Sequence, residues 1–96
     1  MKKVSETGIE KYTEEIGTEG MVMNIRVETS ADGKKVSAPI VKGENEKKIG
    51  SLTSEVDGSI FLSIDKNANL TPEEHFDLFV KAASVMAEIR DIEKPE

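Results

Sequence analysis

Met21-Val22-Met23-Asn24-Ile25-Arg26-Val27-Glu28-Thr29 decides how this chain folds. Met21, Met23, Ile25 and Val27 fall on one side of an extended backbone, and Val22, Asn24, Arg26 and Glu28 on the other. A period of two is the strand signature, because successive side chains leave a pleated strand in opposite directions. Downstream, Asp32-Gly33 supplies the positive φ that a tight hairpin needs. The next strand spans 35–41 and turns Val36, Ala38 and Ile40 inward. Pro39 has no ladder donor, so it marks an edge or a bulge there. Gly43-Glu44-Asn45-Glu46 is a polar turn. A weaker strand follows over 48–54, with Ile49 and Leu52 on opposite sides. Asp57-Gly58 is a second hairpin signal, after which Ile60, Leu62 and Ile64 alternate with Ser59, Phe61 and Ser63. Four strands joined by short turns predict an antiparallel β-meander.

Two helices are predicted around the meander. Thr7 precedes Glu10 by the three residues of a capping box, and Ile9, Tyr12 and Ile16 follow at helical spacing up to Gly17. This predicts a short N-terminal helix over 8–16, with residues 1–7 a flexible N-terminus. Thr71-Pro72-Glu73-Glu74 predicts a second start: a cap, a proline suited to the first helical position, and acids at the positive end of the dipole. The helix should run to about Ile92, leaving 93–96 as a flexible C-terminus. The fold class is therefore α+β, a single domain over 8–92. Its core comes from Met23, Ile25, Val27, Ile60, Leu62, Ile64 and one face of the long helix.

That helix has too much apolar surface for one sheet. Drawn at about 100° per residue, Asp77, Lys81, Ser84, Glu88 and Asp91 occupy an arc of roughly 80°. Phe76, Phe79, Val80, Ala83, Met86 and Ala87 form one apolar face, and Leu78, Ala82, Val85, Ile89 and Ile92 another. Only His75 and Arg90 interrupt a sector of about 240°, whereas a helix resting on a sheet needs little more than ~100°. The second partner is either the predicted N-terminal helix or the same helix of a second subunit. Leu78, Ala82, Val85, Ile89 and Ile92 are assigned to self-association in a homodimer, the commonest closed oligomer.

Composition narrows the function classes. The chain has 96 residues, a net charge of −6, no Cys, no Trp and a single His. Thiolate metal sites, disulfides and cysteine nucleophiles are excluded. No apolar run approaches the ~18 residues of a membrane span. Met1-Lys2-Lys3-Val4-Ser5-Glu6 has no apolar stretch behind its lysines, so it reads as no signal peptide. A cytoplasmic protein is expected. The excess acid sits at the two ends, and residues 21–70 are balanced.

Candidate chemistry is sparse. Asp65, Asn67 and Asn69 match the first ligands of a calcium loop, but Leu70 and Phe76 stand where that loop needs Gly and a bidentate Glu. A turn-rich strand-to-helix connection accounts for the stretch, and no metal is expected. His75 has no nucleophile placed beside it by any motif, and no Gly-rich phosphate loop is present. Glu14-Glu15 and Glu73-Glu74 are neighbours whose side chains diverge on a helix. No catalytic residue and no cofactor is expected, and the chain is read as a non-enzyme. Its outward sheet face (Val22, Asn24, Arg26, Val41, Leu52, Phe61) or its acidic helix arc would meet a protein partner. The alternative is a single-stranded nucleic-acid binder, with Arg26, Lys34, Lys35, Lys47 and Lys48 contacting phosphates and Phe61 stacking a base.

A four-stranded meander followed by a helix opening Leu70-Thr71-Pro72-Glu73-Glu74 resembles the positive-cofactor-type transcriptional coactivators over about residues 21–92. The resemblance implies a helix-paired dimer and binding of single-stranded DNA. It is architectural, and shared architecture does not carry function with it.

Overall fold

The computed structural model describes residues 2–6, 9–18 and 20–93, with side chains described for 9–18 and 20–89. Six strands form one antiparallel sheet in chain order: β1 (Lys2–Glu6), β2 (Ile9–Ile16), β3 (Met21–Ser30), β4 (Gly33–Lys42), β5 (Lys47–Ser54) and β6 (Ile60–Ile64). Among the described residues one helix, α1 (Pro72–Glu93), packs on one face. The α+β class and the meander hold. The strand count does not, because four strands were expected.

Among the described residues there is no N-terminal helix, and Ile9–Ile16 form β2 instead. Ile16 pairs with Met21, Tyr12 with Ile25 and Ile9 with Glu28, across the two-strand ladder to β3. The spacing of Tyr12 and Ile16 explains the misreading. Four residues return to the same face of a helix, and they also return to the same face of a strand. Both side chains reach the core as strand residues, Ile16 fully buried and Tyr12 packed against the cluster. β-Branched Ile9, Thr13 and Ile16 favour the extended state, and β3 offers an eight-residue ladder that an isolated short helix cannot match. Lys2–Glu6, expected to be flexible, pairs with β2 as the outer strand. The expected C-terminal tail lies, after Glu93, outside the described residues, as does Thr7.

The β3–β4 hairpin closes through Ala31 and Asp32, because Ser30 pairs with Gly33. The Ser30 hydroxyl accepts from the Asp32 amide at 3.2 Å, and Gly33 takes φ 133° just beyond the turn. Pro39 lies in an interior strand rather than at an edge. The β3–β4 ladder is interrupted opposite it, between the Met23–Ile40 and Arg26–Ser37 pairs. A bulge in β5 follows at once: Ile40 pairs with Gly50 but Val41 pairs with Lys48, so Ile49 is the extra residue. That bulge corrects the reading of β5. An inserted residue turns the side chains beyond it, so Ile49 and Leu52, three apart, are both buried, and Leu52 leaves the outward face.

The core is one cluster. Ile16, Met21, Met23, Ile25, Val27, Val36, Ala38, Ile40, Ile49 and Leu52 come from the sheet, and Leu78, Ala82, Val85, Met86 and Ile89 from α1. Leu62 and Ile64 of β6 pack at its margin.

α1 begins as its sequence requires. The Glu74 amide donates to the Thr71 hydroxyl at 3.1 Å, and the Thr71 amide donates to the Glu74 carboxylate at 2.8 Å. This reciprocal pair satisfies two helix-end donors. The second Glu74 oxygen takes an ion pair from Lys42 at the end of β4. The Lys42 hydrogen bond, with the Thr71 amide bond behind it, holds the Glu74 carboxyl below the ordinary glutamate range. A carboxylate whose folded pKa is depressed contributes stability above its unfolded value, near 4.3, and loses it as pH falls through the lower folded value. Thermal melts from pH 7 to pH 2 should therefore show a steeper acid loss in the wild type than in Glu74→Gln. Equal pH slopes would refute a stabilising role for the pair.

Candidate interaction surfaces

Two ion pairs fix how α1 is rolled on the sheet. Lys42 holds Glu74 from below, and Lys81 reaches Glu14 of β2 at 2.9 Å. Glu14 lies opposite Met23 in the ladder, on the covered side of the sheet. Lys81 and Asp77 thus lie along the β2 flank, where Asp77 comes close to Gly17. Leu78, Ala82, Val85 and Ile89 then point into the sheet, and Phe76 (67% exposed), Phe79 (54%) and Val80 (52%) point away from it. Ala83 and Ala87 are exposed on the same side.

Apart from Met86, which is buried with the core, this exchanges the two faces of the helix relative to the sequence expectation. Of the residues assigned to self-association, Leu78, Ala82, Val85 and Ile89 are buried against the chain's own sheet, and the side chain of Ile92 lies outside the described set. The uncovered sector exists, but on the opposite side. Both sectors are apolar, so hydropathy alone could not rank them.

The outward sheet face is mostly polar. The pairings Lys11–Arg26, Arg26–Ser37, Ser37–Thr53 and Thr53–Phe61 form a row running across β2 to β6. Phe61 ends it, 59% exposed. Arg26 pairs with Glu28 at 3.1 Å, and Lys35 lies opposite Glu28 in the ladder. Lys34 and Lys35 sit at one end of the strands, while Lys47 and Lys48 sit at the other. Six residues of strand separate Lys35 from the partner of Lys48, about 20 Å. The lysines that the sequence grouped thus fall into two separated pairs, at opposite ends of the neighbouring strands β4 and β5. Asn24 and Pro39 line a shallow depression of about 420 Å³ where the β3–β4 ladder is interrupted.

The sheet's two edges differ in kind. β1 carries Lys2, Lys3 and Glu6, with a register irregularity between Lys3 and Ser5. Charge and irregularity both hinder a further strand from adding. β6 is Ile-Phe-Leu-Ser-Ile, with no charge, no proline and Ile60 half exposed.

A polar concavity of about 690 Å³ lies at the start of α1, between Thr18, Lys42, Asn69 and Glu73. Its one amine is already engaged with Glu74. In the Asp65–Asn69 loop, the Asn67 carbonyl accepts from Lys47 at 3.4 Å, which places an ammonium where a cation site would need to be free of one. Among the described residues no group of three His, Asp or Glu side chains is placed to hold a metal ion. The His75 ring contacts the Thr71 carbonyl at 3.1 Å and serves the first turn of the helix. No helix among the described residues is long and apolar enough to cross a membrane.

No family model matches the chain, and no curated protein or solved structure matches it. The likeness to positive-cofactor-type coactivators therefore rests on the meander-plus-helix outline alone, and the sheet here has six strands where that outline has four.

Proposed function

We propose that this chain is a small non-catalytic interaction protein of the cytoplasm whose docking surface is the outward side of α1. One observation carries the reading: Phe76, Phe79, Val80, Ala83 and Ala87 form a continuous exposed apolar arc on a helix whose other apolar side is already fully used. Contiguous apolar surface of this kind on a small domain marks an interaction site. Two exposed phenylalanines are also the residue type from which interface cores are built. Asp77 and Glu88 border the arc on the β2 flank.

A photoreactive phenylalanine analogue tests this reading. Placed at position 76 in the intact chain, it should yield an adduct of discrete mass. The same analogue at position 24, on the outer sheet face, should yield none. No adduct from position 76 removes the docking surface.

The nucleic-acid alternative draws on Phe61 and Arg26 sharing one outer row. Neutralisation of Arg26 and the split lysines weigh against it, since such binding requires a continuous basic track. A labelled oligonucleotide at low salt should show no change in anisotropy with added protein. Binding that weakens steeply with salt and falls in Phe61→Ala would establish the alternative instead.

A further inference from the structure

We infer that the occupant of this docking surface is a second copy of the same chain, paired helix to helix in antiparallel register about a two-fold axis passing between Lys81 and Ala82. The inference rests on the docking surface just proposed and names its partner.

The register is written into α1. Positions 73, 76, 80, 83, 87 and 90 repeat at alternating intervals of three and four, the spacing of a seam between two helices. The seam lies about 150° around the helix from the middle of the buried stripe, so it points almost directly away from the sheet. A partner can therefore approach without touching the strands. Within the seam the large and small residues are separated along the helix. Phe76 and Val80 occupy the N-terminal half, Ala83 and Ala87 the C-terminal half. Parallel pairing would stack Phe76 on Phe76 and leave the alanines facing across a void. Antiparallel pairing about the axis between 81 and 82 sets Phe76 against Ala87 and Val80 against Ala83, so each bulky residue meets a small one.

Charge points to the same register. The outermost pair in this arrangement is Glu73 with position 90, an arginine, so opposite charges meet at both ends of the seam. Parallel pairing would set like charge against like at each end. The Glu73 carboxylate is exposed and lies in the first turn of α1. Phe79 lies on the flank away from β2 and borders the seam there. The seam from 73 to 90 is about 26 Å long. One helix face of this length gives an interface at the small end of the stable range, so a dimer of about micromolar affinity is expected.

The experiment uses the absence of cysteine from the chain. Phe76→Cys and Ala87→Cys are made separately and mixed under mild oxidation. In the inferred register they lie opposite each other, while two copies of position 76 are about 16 Å apart, beyond the ~7 Å reach of a disulfide. Mixed 76–87 dimers should form, and Phe76→Cys alone should give none. Efficient 76–76 linkage overturns the register. Sedimentation velocity of the unmodified chain should show concentration-dependent dimer. Ala83→Glu should be monomeric, melting at the temperature of wild type diluted to its monomer, below that of the concentrated dimer. Glu73→Arg and Arg90→Glu should each weaken the dimer by about tenfold, and the double variant should recover it.

A monomer at several hundred micromolar overturns self-pairing. If the photoreactive residue at 76 still gives an adduct of a different mass, the docking surface stands and only its occupant changes. A dimer insensitive to Ala83→Glu but lost in Phe61→Lys assigns the contact to the β6 edge and overturns the helix seam.

Discussion

Replacing Gly50 by valine should leave no folded protein at 37 °C, and even Gly50→Ala should lower the melting temperature by 10 °C or more. Gly50 sits on the covered face of β5, directly opposite Ile40 on one side and Ile64 on the other. A β-carbon placed there would lie 2.3 Å from the Ser63 carbonyl oxygen and 3.2 Å from the Ile64 Cα. Both are backbone atoms of β6, so no side chain can swing aside. Relief requires β6 to separate from β5, which sacrifices the ladder pairs from Gly50–Ile64 to Ser54–Ile60. Overpacking of this kind costs about 3 kcal/mol or more. At roughly 4–8 °C per kcal/mol for a domain of this size, the melting temperature falls by at least about 12 °C. Denaturant unfolding followed by circular dichroism gives the value. A Gly50→Ala protein within 1 kcal/mol of wild type would show that β6 is not closely seated on β5.

Leu78→Asp should unfold the chain, while Phe76→Asp, two residues earlier on the same helix, should leave its stability nearly unchanged. Leu78 is fully buried between α1 and the sheet, and Phe76 is largely exposed. A carboxylate at 78 enters the core with no cation provided for it, since Lys42 and Lys81 are already paired. Truncation to alanine alone should cost about 2–5 kcal/mol, and an unpaired buried charge adds several more. Such a loss is comparable with the whole stability of a small domain, about 5–15 kcal/mol. At position 76 the new carboxylate remains in water, and the monomer should change by about 0.5 kcal/mol or less. The comparison tests which way the helix is rolled. Had the Phe76 side rested on the sheet, the two effects would be reversed.

The roll of the helix also shows how far the sequence could be read. The cap at Thr71, the reciprocal Glu74 and the start at Pro72 depend on residues within one turn of each other, and they were legible. So was the alternation of β3, because period two over nine residues matches no helix. β2 was not legible, because Tyr12 and Ile16 satisfy both periods and the deciding contact is a ladder to residues 21–28. Neither was the inward turn of Leu52, which depends on one extra residue, Ile49, opposite a neighbouring strand. The candidate surface was half legible. An apolar sector too broad for one sheet was evident, but the side left uncovered was not.

The sequence by itself determined the α+β class, the antiparallel meander over 21–64, the start of the long helix and the surplus of apolar surface on it. Each follows from interactions between residues close together in the chain, where periodicity and caps act directly. Only the tertiary structure decided that residues 9–16 are a strand, that six strands share the sheet, and that Leu78 faces inward while Phe76 faces outward. Those outcomes depend on contacts between segments far apart in sequence: the ladder from β2 to β3 and the two ion pairs, Lys42–Glu74 and Lys81–Glu14, that set the helix in place. Local patterning makes both sides of α1 suitable for burial, and the sheet has room for only one of them.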